Sequence, residues 1–194
     1  EIDIVAAAGM NRINRAREIL DADPAQAQSR FSYVRYSPLH VACWRGHQEM
    51  VRLLLDRGAE VDGRTVYGWP PLWSAIRGDH REIVSQLLRA GAKINRPVHR
   101  LYYSDSSHYC GALWIAVEYN PKIVPFLVEQ GADVNLADQF GATVLMYVAR
   151  ESERNELVRV LLESGANPDA AMVNGTTPLH VAASEGNVKG ASLL

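Results

Sequence analysis

One six-residue pattern occurs five times in this chain, and its spacing limits the folds open to it. Ser37-Pro38-Leu39-His40-Val41-Ala42 is followed by Pro70-Pro71-Leu72-Trp73-Ser74-Ala75 and by a degraded Gly111-Ala112-Leu113-Trp114-Ile115-Ala116. It returns as Thr143-Val144-Leu145-Met146-Tyr147-Val148 and, nearly intact, as Thr177-Pro178-Leu179-His180-Val181-Ala182. The shared Leu falls at 39, 72, 113, 145 and 179, so successive intervals are 33, 41, 32 and 34 residues. A second marker keeps step: Gly58-Ala59, Gly91-Ala92, Gly131-Ala132 and Gly165-Ala166. Between the markers, Met50, Val51, Leu54 and Leu55 align with Ile83, Val84, Leu87 and Leu88, and the pattern continues at Ile123, Val124, Leu127 and Val128 and at Leu157, Val158, Leu161 and Leu162. Residues spaced i, i+1, i+4 and i+5 share one face of a helix. A period near 33 residues with such a face describes units that bury their apolar sides only against each other.

These two markers, in register over four or five copies, resemble the ankyrin repeat, with its 33-residue period and T-P-L-H-x-A signature. The resemblance covers residues 30–194 well and 1–29 loosely. It implies an all-α solenoid of stacked helix-turn-helix units carrying hairpin-like fingers. The residues make local sense in that fold. Pro38 and Pro178 fall at the first helical position, where a missing N–H costs nothing, and Ser37, Thr143 and Thr177 are good N-caps. The resemblance assigns His40 and His180 a structural hydrogen-bonding role. Trp73, Trp114 and Met146 replace that His and gain apolar area instead. Gly46 and Gly186 are expected in the left-handed turn between paired helices, with Asn120 taking the same position in the third full unit.

The expected organisation is one ankyrin-repeat domain over residues 1–194. An atypical N-terminal unit spans about 1–35, full units about 36–68, 69–109, 110–141 and 142–175, and a partial unit 176–194. The 41-residue interval lengthens one finger between Pro97 and Cys110, with Ser/Asp chemistry at its tip and Tyr102, Tyr103 and Tyr109 on its flanks. Pro121 suits a helix start. Pro125, about one turn later, removes a backbone donor and is expected to shorten or kink that helix.

Composition and motifs exclude several functions. Net charge is −2, which supplies no excess of cations for nonspecific nucleic-acid binding. Residues 1–100 hold 15 Lys+Arg against 11 Asp+Glu, and residues 101–194 hold 5 against 11, so charge runs from +4 to −6 along the chain. No apolar run is long enough to span a bilayer. Two cysteines, Cys43 and Cys110, are few for a secreted scaffold, so the expected location is cytoplasmic, possibly nuclear. The chain contains no phosphate-cradling Gly-rich loop, H-E-x-x-H or G-x-S-x-G. His99, His108 and Cys110 do not have the spacing of a closed zinc site. The reading is therefore a non-enzyme, with no cofactor, no metal, no nucleic acid, no membrane and no small-molecule substrate.

In ankyrin proteins partners lie along the concave face formed by the fingers and the exposed side of the first helix. The positions that the repeat leaves unconstrained there are Tyr33, Val34, Tyr36, Trp44, Arg45, Tyr67, Trp69, Arg77, Tyr109, Tyr119 and Phe140, and the long finger adds Tyr102 and Tyr103. Tyr, Trp and Arg dominate interface hot spots, so the expected function is a protein-interaction scaffold. The alternative is the substrate-recognition or targeting arm of a larger enzyme, such as a ubiquitin-ligase subunit or a kinase. The resemblance also marks Asn135, preceded by Ala132-Asp133-Val134 with Leu127 eight residues upstream, as a candidate for asparagine hydroxylation.

Overall fold

The structure, a computed structural model, describes residues 2–98 and 109–194. The described residues form two compact bodies, one of residues 2–94 and the other of residues 95–97 and 109–194. In the first body the helices are α1 (Ile4–Gly9), α2 (Ile13–Ala22), α3 (Pro38–Arg45), α4 (Gln48–Asp56), α5 (Pro71–Arg77) and α6 (Arg81–Arg89). In the second they are α7 (Gly111–Tyr119), α8 (Val124–Glu129), α9 (Val144–Ala149), α10 (Asn155–Glu163), α11 (Pro178–Ser184) and α12 (Val188–Leu193). Strands β1 (Pro97–Val98) and β2 (Tyr109–Cys110) pair at the base of the long finger. The fold is the expected series of helix pairs with fingers.

Each body has two helical layers. First helices α1, α3 and α5 pack side by side, as do α7, α9 and α11; α4 lies between α2 and α6, and α10 packs on α12. The apolar face read from the sequence forms the core. Leu39, Leu54, Leu72, Ile83 and Leu87 are buried in one body, and Leu113, Ile123, Leu127, Leu145 and Leu161 in the other. Trp73, Trp114 and Met146 are buried where the repeat elsewhere places His.

Helix starts follow the predicted chemistry. The side chains of Ser37, Thr143 and Thr177 accept from the backbone N–H of His40, Met146 and His180. In α3 and α11 the His ring also meets the N-cap backbone, which closes a capping box. Pro70 has no such side chain, and its carbonyl accepts from Trp73 N–H at 3.0 Å.

The turns between paired helices partly correct the expectation. Gly46 and Gly186 are left-handed, at φ 77° and 70°. Asn120 is not, because its φ is −152°. It stands one residue later, at the start of the second helix, in register with His47, His80 and Asn187. In that unit α7 runs on to Tyr119, through the position where the others turn. In the second unit Asp79 takes the left-handed position at φ 57°, a conformation short polar side chains tolerate. The effect of Pro125 is as expected. The second helix there begins as a single 3₁₀ turn (Pro121–Ile123), and α8 has six residues against nine in α4, α6 and α10.

Two sets of polar ties hold successive units in register. At the finger base, one side chain bridges two backbone groups of the next unit. Gln28 reaches Gly58 O and Glu60 N, Asn95 reaches Gly131 O and Asp133 N, and Asn135 reaches Gly165 O and Asn167 N. Asp62 accepts from Lys93 N. At the other end of the unit, the residue opening the second helix donates to the last turn of the preceding first helix: His47 to Gly9 O, His80 to Trp44 O and Asn187 to Ala149 O.

The His80 tie dictates its surroundings. Its ring lies between Gly46 and Gly78, where a Cβ would come within 2.6 Å and 2.5 Å of ring atoms. Gly46 is also required by its φ, but Gly78, at φ −82°, is excluded from carrying a side chain chiefly by the ring, with the Trp44 carbonyl oxygen next at 3.2 Å. Gly78→Ala is therefore expected to destabilise the chain by about 1–3 kcal/mol, and in a His80→Ala background to cost under about 0.5 kcal/mol. Urea denaturation of the four proteins checks this; additive effects would show that the ring is not the obstacle.

Candidate interaction surface

In the first body, the fingers and the exposed sides of α3 and α5 converge on one surface. The fingers are short hairpins. Phe31 and Tyr36 exchange backbone hydrogen bonds of 2.7 and 3.1 Å, and Thr65 N donates to Trp69 O at 3.1 Å. Neighbouring fingers are linked by Val66 N–H to Val34 O at 3.0 Å.

His40 anchors this arrangement from below. The ring is fully buried; Nδ1 accepts from Ser37 at 3.2 Å from N and 2.7 Å from Oγ, and Nε2 lies 2.9 Å from Trp69 O. Only the Nε2–H tautomer satisfies the carbonyl. Burial holds its pKa down at about 4, a pull that the hydrogen bond to Trp69 only partly opposes.

Above it, Tyr36, His40, Val41, Trp44, Arg45, Ser74 and Arg77 line an open pocket of about 250 Å³. The Arg77 guanidinium lies over the Trp44 ring, 4.9 Å from its centroid. Burial pushes the Tyr36 hydroxyl up in pKa, against an opposing pull from the Arg77 cation.

The expected contact residues divide into distinct groups. Tyr33 (82% exposed), Trp44 (46%) and Arg45 are exposed, and Tyr36 and Arg77 are half-buried beside them. Tyr67 and Trp69 are not free aromatic tips. Both are half-buried, Trp69 stacks on the buried Trp73 at 5.9 Å, and Tyr67 packs on Trp69 at 5.1 Å. Val34 is buried, with its carbonyl committed to the next finger. In the second body Tyr119 and Phe140 are exposed. Tyr102 and Tyr103 lie outside the described residues, and for Tyr109 the structure gives only its backbone place in β2. Asn135 is exposed, and its side chain holds the next unit rather than its own turn.

Two groups escaped the sequence reading. His80 stands in register with His47 at the start of a second helix, yet its role in fixing the Trp44 carbonyl follows only from the stacking. The second is a network in the other body, where Tyr147 OH donates to Glu118 at 2.5 Å. Arg154 reaches Glu118 at 3.2 Å, Glu151 at 2.7 Å and Val117 O at 3.3 Å while lying over the Tyr147 ring. These charges are engaged with each other, and one cation is shared by two carboxylates. Among the described residues no group of three His, Cys, Asp or Glu side chains is placed to hold a metal, and no helix is long and apolar enough to cross a membrane.

With this geometry in hand, comparison with known proteins is direct. The family model "Ankyrin repeats (3 copies)" matches residues 4–97 and 113–194, and the chain belongs to the ankyrin-repeat family, a fold that serves as a protein-interaction module. It is similar to the putative palmitoyltransferase ZDHHC13 of Danio rerio, 29% identical over 99% of this chain and 29% of that protein. It is also similar to the E3 ubiquitin-protein ligase KEG of Arabidopsis thaliana, 31% identical over 89% of this chain and 10% of that one. The chain thus spans less than a third of either relative. Among solved structures, an ankyrin repeat domain from Acinetobacter baumannii superposes with a TM-score of 0.73 at 24% identity, covering 98% of this chain and 94% of that one.

The His40 tie makes stability pH-dependent. A group whose folded pKa is depressed by burial as the neutral form must gain charge on unfolding, so the folded state is favoured above about 6.5 and loses that advantage as pH falls toward about 4. The full effect is on the order of 3 kcal/mol. The urea midpoint is expected to fall through this window, and a His40→Gln variant, less stable at pH 7, to lose its stability less steeply there. Parallel pH profiles for the two proteins would overturn the assignment.

Proposed function

We propose that the chain binds a partner protein along the finger and first-helix face of its first body, and that it has no catalytic activity of its own. The observation that carries this reading is the cluster of exposed or half-exposed Tyr33, Tyr36, Trp44, Arg45 and Arg77 on backbone already fixed by His40 and His80. Large aromatics bury much area with few torsions to freeze, and arginine adds a planar fork of charge-assisted donors. Tyr119 and Phe140 extend the candidate surface in the second body. The fully buried free thiol of Cys43, its ionisation suppressed by burial, is consistent with a cytoplasmic or nuclear location.

A second reading is favoured by the short share of each relative that this chain covers. It makes the repeats the recognition arm of a larger enzyme, as the names of the palmitoyltransferase and ubiquitin-ligase relatives would fit. Both readings use the same face. We also propose Asn135 as a hydroxylation site. Asn95 makes the same two bonds to its next unit, so a preference for Asn135 would come from Ala132-Asp133-Val134, and peptide mass spectrometry after incubation with an ankyrin asparagine hydroxylase should show oxygen added at Asn135 and not at Asn95.

The test of binding uses the immobilised chain as bait in lysate. Tyr33→Ala with Trp44→Ala should lose captured protein while the urea midpoint moves by under about 0.5 kcal/mol equivalent for the exposed Tyr33. Because cations dominate this body, the association rate with the captured partner should fall with added salt, screening acting over about 10 Å at 0.1 M. Undiminished capture, or a flat rate across a salt series, would remove the assignment of this face.

A further inference from the structure

The pocket between α3 and α5 has properties that narrow the chemistry of its occupant. At about 250 Å³ it falls below the roughly 300–1,000 Å³ of small-molecule sites. It has room for a side chain and its immediate neighbours, not for a cofactor. Its walls are aromatic and aliphatic on one side, from Tyr36, Val41 and Trp44, and cationic on the other, from Arg45 and Arg77. Among the described residues no carboxylate lines it. His40, in its floor, is neutral near pH 7, so the two arginines supply the positive charge.

One of the two arginines is held on an aromatic ring. Arg77 lies on the Trp44 ring, and the Trp44 backbone is pinned by His80. Arg45 is exposed and enters no ion pair among the described residues. Both arginines end their helices, where a cation also gains from the helix dipole. That accounts for a cation at each helix end. It does not account for their convergence with two aromatics on one pocket. Guanidinium beside an aromatic face suits a carboxylate whose aliphatic stem lies on the ring.

We propose that this pocket is the anchor site for an acidic residue of the partner protein, with the carboxylate held by Arg45 and Arg77 and its stem and an adjacent apolar side chain lying against Trp44, Tyr36 and Val41. This rests on the reading of the chain as a protein-binding module and names the feature the partner must carry. A nucleic acid fits less well, because two cations and one short pocket do not make a basic track along a phosphate backbone.

The test uses two pools of fluorescein-labelled peptides, randomised except for a central Glu flanked by Leu or Phe, or for Gln in the same place. Fluorescence anisotropy should show the Glu pool binding about tenfold more tightly, the ratio one charge-assisted bond supports. Arg45→Gln and Arg77→Gln should each reduce that preference, and together abolish it. Arg45 is exposed, so its variant keeps the test meaningful even where Arg77→Gln disturbs the Trp44 packing; urea midpoints verify folding. Equal binding of the two pools, a preference that survives Arg45→Gln and Arg77→Gln together, or tighter binding of a single-stranded oligonucleotide would overturn the proposal. If lysate capture persists in the double variant while Tyr33→Ala with Trp44→Ala abolishes it, the anchor falls and the binding-module reading stands.

Discussion

Helices of six to ten residues, the full range found here, are marginal in water without tertiary support. Every one of them therefore depends on burying its apolar stripe against a neighbour in the next unit. Leu39 is fully buried on α3, which packs between α1 and α5, and Leu179, at the same motif position, is 49% exposed. The burial is nondirectional and would tolerate some sliding of one helix pair over the next. Polar ties remove that freedom. Gln28, Asn95 and Asn135 each hold a carbonyl and an N–H of the following unit, and His47, His80 and Asn187 hold a carbonyl of the preceding one. Apolar area supplies most of the free energy, and a few amide and imidazole groups set the register.

Much of this was legible from residue types. Helix faces follow from spacing alone, and caps such as Ser37 and Thr177 follow from the chemistry of orphan N–H groups. What escaped the reading depended on neighbours distant in sequence. Asn120 looked like a left-handed turn former because Asn tolerates that conformation, but its register puts it at the next helix start. Asn135 stands out in the sequence only by the Ala132-Asp133-Val134 before it, and its amide satisfies Gly165 and Asn167, thirty or more positions away. Tyr67 and Trp69 looked like contact residues because the repeat leaves their positions unconstrained. The particular neighbour Trp73 draws them inward. The replacement of a polar His by Trp at position 73 was visible in the sequence; that the finger above would stack on it was not.

The charge gradient is read differently once the ion pairs are placed. Arg154 pairs with both Glu118 and Glu151 around Tyr147, and Arg150 lies 3.3 Å from Glu185. Acidic residues of the second body are thus partly occupied with its own cations. In the first body Arg15, Arg17 and Arg57 are likewise paired, along its helix backs and loops, while Arg45 and Arg77 line the pocket. Net charge alone assigns steering to the whole half; the fold brings two of its cations together beside aromatic rings.

That distribution separates stability from recognition within a single helix. On α3, Pro38, Leu39, His40, Ala42 and Cys43 are buried and hold the fold, while Trp44 and Arg45, one turn further on, face outward. The same division holds on α5, where the buried run Pro71–Ile76 ends in Arg77. A repeat that fixes the first five or six residues of each first helix leaves its last turn open to variation, and that turn is carried by a backbone the polar ties have already immobilised. Changing Arg45 would alter what this surface attracts with little consequence for packing. Changing His40 would do the reverse, because its hydrogen bonds hold both the helix start and the finger that bears Trp69.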